Sequence, residues 1–263
     1  MSFILNPYRH AAAGAFSPTD ITGLHIWYDG SDITTMFDTR VGGSQITGNG
    51  DTVNRLEDKS GNDYHAYVAT GGIFLNKAPT YIASGINSIG SLDFMTGGAK
   101  ALVPLESDLI TQPNVSGAFT VFYIFQRDAD GDVSCSFGST NYPWLWFSNN
   151  IIYWAKWNGS AENTGIAYND GDEVTLPGDF CTTITRDASN DCSLYLDGGS
   201  AIDTATNKTG DLQMLVLGNS NSATTSQPVW GELLIYNSEL SSTDINSVHD
   251  YLANKWGITI ATV

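Results

Sequence analysis

The chain has 263 residues, of which 27 are Gly, 11% are aromatic and only 15% are charged, a composition suited to one large core of short strands joined by turns. Its formal charge is −17 with 11 Lys and Arg spread along it, which excludes a phosphate-gripping nucleic-acid partner. No stretch is long and apolar enough to span a bilayer, and the absence of a CxxC or Cys/His cluster excludes structural zinc.

Residues 1–16 do not fit a strand pattern. Phe3, Ile4, Leu5 and Tyr8 are apolar, but Pro7 and the Ala11–Gly14 run discourage a regular strand. These residues are expected to form an extended N-terminal arm, with Phe3, Ile4, Leu5 and Tyr8 as an assembly contact on a neighbouring subunit; the alternative folds the arm back over its own sandwich. The segment also lacks the basic start and long apolar run of a secretory signal. Residues 17–263 are expected to form one domain.

Ser17-Pro18-Thr19-Asp20 predicts a turn or short helical start, and Leu24–Tyr28 begins the sheet. Asp29–Asp51, rich in Gly, Ser, Thr and Asp, reads as loops. Short strands are expected over Val53–Glu57, Ala66–Ala69 and Ser91–Phe94. Asp58 to Asn62, around Ser60-Gly61, has the chemistry of a tight turn. Phe119–Gln126 is an apolar run with high β propensity, the expected centre of a sheet. Ser134–Phe137, Trp144–Phe147 and Ile151–Trp157 continue as a meander. Phe180–Arg186 and Cys192–Leu196 flank a hairpin loop, and Leu212–Leu217 reads as one more strand. Cys181 and Cys192 lie at unequal distances from that hairpin turn, which argues against a cross-strand disulfide. With Cys135 they are expected to be buried free thiols, consistent with assembly in a reducing compartment.

Trp230–Tyr236 is an apolar strand whose single acid, Glu232, must pair with a basic side chain or face solvent. Ser241 can cap a following helix, Ile245, Val248, Leu252 and Trp256 give it one apolar stripe, and Gly257 can end it.

Three pieces of the sequence together resemble one family. The closing segment GELLIYNSELSSTDINSVHDYLANKWGI, the opening Gly23-Leu24-His25-Ile26-Trp27-Tyr28-Asp29, and the middle Leu56-Glu57-Asp58-Lys59-Ser60-Gly61-Asn62 with Ala66, Pro79-Thr80-Tyr81 and Ser91-Leu92-Asp93-Phe94 resemble motifs of concanavalin A-like (laminin G-like, pentraxin-like) domains of bacterial and phage surface proteins. Leu196-Asp197-Gly198 is similar to a turn of the same domains. The resemblance implies an all-β, two-sheet antiparallel jelly-roll sandwich with a C-terminal α-helix. It does not fix a function, because such sandwiches host lectins, hydrolases and structural modules.

Chemistry-bearing patterns are few. Asn141–Gly159 contains four of the seven tryptophans, Trp144, Trp146, Trp154 and Trp157, whose rings are candidates for stacking on sugars. The alternative is that they fill the sandwich or a subunit contact. Asp128, Asp130 and Asp132 form half of a calcium loop without its closing Glu, so calcium is a candidate ligand and no cofactor is required. Asp58, Asn62, Asp197 and Asn219 are further oxygen donors. No E-x-D-x-E strand or G-x-S-x-G elbow occurs, and His10, His25, His65 and His249 are scattered, so no enzyme activity is expected.

The expected function is a non-enzymatic phage virion protein, a capsid decoration protein or a head or tail fibre. Its expected partners are other virion proteins and further copies of itself, in a trimer, with a cell-surface glycan as a possible ligand and the virion as its location. The alternative is a carbohydrate-binding adhesin or receptor-binding tail protein. A polysaccharide-degrading enzyme ranks below both.

Overall fold

The protein is described from a computed structural model covering residues 16–68, 77–94, 100–104, 113–127, 143–148, 151–156, 166–168, 178–207, 211–213, 217–218 and 229–263. Within these residues it is an antiparallel β-sandwich closed by one C-terminal helix. The larger sheet contains β1 (Leu24–Asp29), β5 (Thr80–Ile82), β6 (Ser91–Asp93), β9 (Phe119–Arg127), β13 (Gly178–Arg186), β14 (Cys192–Leu196), β15 (Asp203–Ala205) and β18 (Val229–Tyr236). Its order is β15-β14-β13-β9-β18-β6-β5, and β1 also pairs with β18, beyond β6 along the same edge. The facing sheet has the order β17-β7-β4-β3-β2, from Leu217–Gly218, Ala101–Pro104, Ala66–Val68, Arg55–Leu56 and Met36–Phe37. Two smaller ladders pair β8 (Asn114–Val115) with β16 (Leu212–Gln213), and β10 (Pro143–Ser148) with β11 (Ile151–Lys156) and then β12 (Ile166–Tyr168). The two described ends of the run Leu212–Leu217, in β16 and β17, pair in different sheets. Apolarity alone does not reveal a change of sheet.

The larger sheet is covered on both faces, which explains its unbroken apolar runs. One face meets the second sheet through Ile26, Tyr28, Phe119, Val121, Tyr123, Phe125, Leu233 and Ile235. The other meets α1 (Ser242–Trp256) through Trp27, Phe122, Ile124, Leu234 and Tyr236, against Ile245, Val248, Leu252 and Trp256. In β9 the alternation is regular. In β18 an irregularity at Gly231 shifts the register, so that Trp230 pairs with Phe125 but Glu232 with Ile124. A bulge of this kind re-aims the side chain that follows it. Trp230 belongs to the inter-sheet core, and Glu232 consequently points to the helix face rather than repeating that direction.

The turn chemistry read from the sequence is present. Ser17 caps a 3₁₀ turn over Pro18–Asp20 with a reciprocal capping box. Asp58 Oδ1 accepts from the backbone N–H of Trp27 and of Ser60, both at 2.9 Å, while Asn62 Nδ2 donates to the carbonyls of Leu24 at 3.1 Å and His25 at 3.0 Å. This turn is therefore stitched to β1. Cys181 and Cys192 are buried thiols in no disulfide, and Cys192 pairs in register with Arg186, not with Cys181. Cys135 and the arm residues Phe3, Ile4, Leu5 and Tyr8 lie outside the described residues. No helix among the described residues is long and apolar enough to cross a membrane.

Candidate functional site

The densest polar chemistry in the described residues lies where β1, β18 and α1 meet. Asp29 and Glu232 are directly opposite in the β1–β18 register. Two like charges so placed repel, and burial adds a desolvation cost. Lys255 offsets both: its Nζ lies 2.7 Å from Asp29 Oδ1 and 2.8 Å from Glu232 Oε2. Lys59, from the tight turn, lies 2.9 Å from the other Asp29 oxygen and 2.7 Å from Asp32. The result is an alternating chain Asp32–Lys59–Asp29–Lys255–Glu232.

Glu232 is fully enclosed, with 0% side-chain exposure. Its Oε1 accepts from Trp27 Nε1 at 2.7 Å and Tyr251 Oη at 2.8 Å, and its Oε2 also accepts from Trp256 Nε1 at 2.7 Å. Burial pushes the Glu232 carboxyl upward, while Lys255 and the Trp256 indole pull it back. Burial likewise raises Asp29, but Lys255 and Lys59 outweigh it and hold that carboxyl at about 2. The Tyr251 phenol is raised well above its ordinary range by burial and by the carboxylate it faces, so it stays a donor. With both oxygens occupied and no access for a substrate, Glu232 is a structural clamp rather than a nucleophile or general acid. The clamp fixes Tyr251 and Lys255 on the outer side of α1.

Beside that outer side opens a groove of about 540 Å³, lined by Phe16, Ser247, Asp250, Tyr251, Asn254 and Lys255. The Phe16 and Tyr251 rings stand 6.2 Å apart at 59°, and Trp27 meets Tyr251 edge-on at 6.4 Å. Glu232 was singled out in the sequence, but its partner Lys255 and the groove were missed. Its residues come from two chain regions, and helical spacing alone marks Ser247, Tyr251 and Asn254 only as a solvent-facing side.

The aromatic hairpin is described in its backbone. β10 and β11 pair so that Trp144 is opposite Ala155, Leu145 opposite Trp154 and Trp146 opposite Tyr153. Trp144, Trp146 and Tyr153 thus share one register parity, whereas Trp154 falls in the other with Leu145. Trp157 lies outside the described residues, as do Asp128, Asp130, Asp132 and Asn219. Among the described residues no group of three or more His, Cys, Asp or Glu side chains is placed to hold a metal. Asp197, a further candidate, accepts from the Cys181 N–H at 2.8 Å.

By sequence the chain matches no protein-family model and no curated protein. Its fold is similar to that of several solved binding domains. The ligand-binding domain of botulinum neurotoxin serotype D, solved in complex with N-acetylneuraminic acid, aligns at TM-score 0.54 and 14% identity over 87% of this chain and 51% of its own. The binding domain of Paraclostridial mosquitocidal protein 1 aligns at 0.54 and 15% over 78% and 52%, and the receptor-binding domain of botulinum neurotoxin type G at 0.50 and 14% over 88% and 51%. The chain spans about half the length of these structures, and at such identities the likeness establishes a shared all-β sandwich.

Proposed function

We propose that the protein is a non-catalytic carbohydrate-binding module of adhesin type, which recognises a cell-surface glycan. The observation that carries this reading is the β10–β11 register, which sets Trp144, Trp146 and Tyr153 in neighbouring rows of one parity. Aromatic residues repeated at one parity are candidates for stacking on the C–H faces of a sugar. The likeness in fold to domains named for ligand and receptor binding supports it, as does the enclosure of Glu232, which leaves the most heavily bonded carboxylate unable to reach a substrate. In the finer form of this proposal the sandwich is concanavalin A-like and is carried by a phage particle as a head decoration or tail appendage. It assembles as a homo-oligomer, a trimer, through the residue 1–16 arm, and uses no cofactor beyond a possible calcium at Asp128, Asp130 and Asp132. The motifs shared with phage surface proteins support that form.

The test is a glycan array probed with the full chain, with and without calcium, beside the Trp144→Ala/Trp146→Ala double variant. Saturable binding that weakens on the order of tenfold or more in a still-folded double variant is the expected result. Binding that is unchanged in that variant, or no glycan bound at all, overturns the reading. Gold-labelled antibody on phage particles tests the carrier separately: label on heads or tail tips is expected, and particles without label overturn it.

A further inference from the structure

The groove over α1 has a chemistry that the aromatic hairpin does not supply, and its charge selects among sugars. Lys255 is the cation on its rim, but the ammonium is committed to Asp29, Glu232 and, at 3.2 Å, the Tyr251 oxygen. The chain of charges behind it has three acids, Asp29, Asp32 and Glu232, against two lysines, and Asp250 adds an exposed carboxylate at the rim. Of the groove residues, Asn254 and Lys255 lie in the last turn of α1, at the negative end of the helix dipole. Among the described lining residues, an anionic ligand therefore meets a negative field in which the one cation, Lys255, is already paired. A neutral ring with hydroxyl groups meets two aromatic rings, Phe16 and Tyr251, and polar atoms of suitable kinds. The Asp250 carboxylate accepts from hydroxyls, and the Asn254 amide, which donates one N–H to the Asp250 carbonyl at 2.7 Å, retains its oxygen and a second N–H. The Tyr251 phenol is anchored to Glu232, so the ring is ordered before a ligand arrives, and the entropy cost of binding falls.

We infer that this groove is a sugar subsite for neutral or amino-substituted pyranose rings, stacked on Phe16 and Tyr251 and hydrogen-bonded by Asp250 and Asn254, and that it rejects sialylated and sulfated glycans. The inference rests on the glycan-binding reading and adds to it a second contact surface and a ligand class.

The experiment titrates the full chain with maltohexaose, chitohexaose and sialyllactose by calorimetry. It compares wild type with Tyr251→Ala, with the Asp250→Ala/Asn254→Ala double variant at two exposed helix positions, and with the Trp144→Ala/Trp146→Ala hairpin variant, each checked for fold by near-ultraviolet circular dichroism. If Tyr251→Ala does not fold, the exposed double variant decides. The expected result is binding of a neutral or amino-sugar oligomer that weakens on the order of tenfold in the groove variants, with no binding of sialyllactose. Binding lost only in the hairpin variant overturns the groove while leaving the glycan-binding reading intact. Absence of binding to all three probes overturns the groove's ligand class, and the wider array then decides the general reading. Sialyllactose binding that disappears in the groove variants overturns the charge selection.

Discussion

Glu232 faces Asp29 across the β1–β18 ladder and is held by two indoles, a phenol and an ammonium from two separate stretches of chain, β1 and α1. Removing it leaves the Trp27 and Trp256 N–H groups without their acceptor and Lys255 with one fewer anion in a buried place. Glu232→Ala is therefore expected to cost about 3–5 kcal/mol, measured as a lower urea midpoint, because breaking one side of a buried ionic network strands the other. A loss below about 1 kcal/mol would show that the cluster relaxes around water. The sequence left Glu232 between pairing and exposure, since its partner Lys255 lies on another element. Asp58 was more legible, because the donors it serves at Ser60 and Tyr64 are within six positions along the chain.

At the scale of elements, β18 and α1 illustrate what periodicity carries. The stripe Ile245, Val248, Leu252 and Trp256 is buried as its spacing predicts, and each of the aliphatic members contributes about 2 kcal/mol by leaving water. His249 joins it by bonding Thr183 at 2.8 Å, a partner the helix sequence does not reveal. Ser241 Oγ accepts from the Asp244 N–H at 3.2 Å and donates to its carboxylate at 2.8 Å, and Gly257 ends the helix at φ 64°. Asn87, distant in sequence, donates to the Trp256 carbonyl at 2.9 Å and completes the C-terminal end. Ser241→Ala is expected to lower stability by about 1 kcal/mol in urea unfolding, with the helix retained because its packing remains. The Gly231 bulge was not legible. An apolar strand reads the same with or without one extra residue, and only its neighbour β9 shows the shift.

For the whole molecule, His249, Asp197 and Asp29 are among the shifted groups that shape the response to acid. Burial holds His249 down at about 4 against an ordinary 6.5, so the unfolded chain takes up the proton first and stability falls as pH drops from 6.5 towards 4, by on the order of 3 kcal/mol. Burial raises Asp197 to about 6 against 3.8, partly opposed by the Cys181 N–H; here the folded chain takes up the proton first, and stability rises as pH falls through that window. The two oppose each other between pH 6 and 4. Asp29, held at about 2, contributes stability that is complete above 3.8 and is lost as pH falls through 2. Urea midpoints of wild type are thus expected to change little from pH 6 to 4 and to drop steeply below. In His249→Gln the midpoint at pH 4 relative to that at pH 6 should be higher than in wild type, and an unchanged ratio would refute the His249 contribution.

What the sequence determined by itself was local: the β character of the long apolar runs, the tight turn at Ser60-Gly61, and the helix with both of its ends. These depend on φ/ψ preferences, side-chain period and hydrogen bonds that close within a few residues. Tertiary structure alone decided the pairing order of the strands, the pairing of the two ends of Leu212–Leu217 in different sheets, the face on which Glu232 stands, and the meeting of Phe16 with Tyr251 at the groove. Each of these depends on contacts between residues far apart in the chain, which a one-dimensional pattern of apolar and polar residues does not encode.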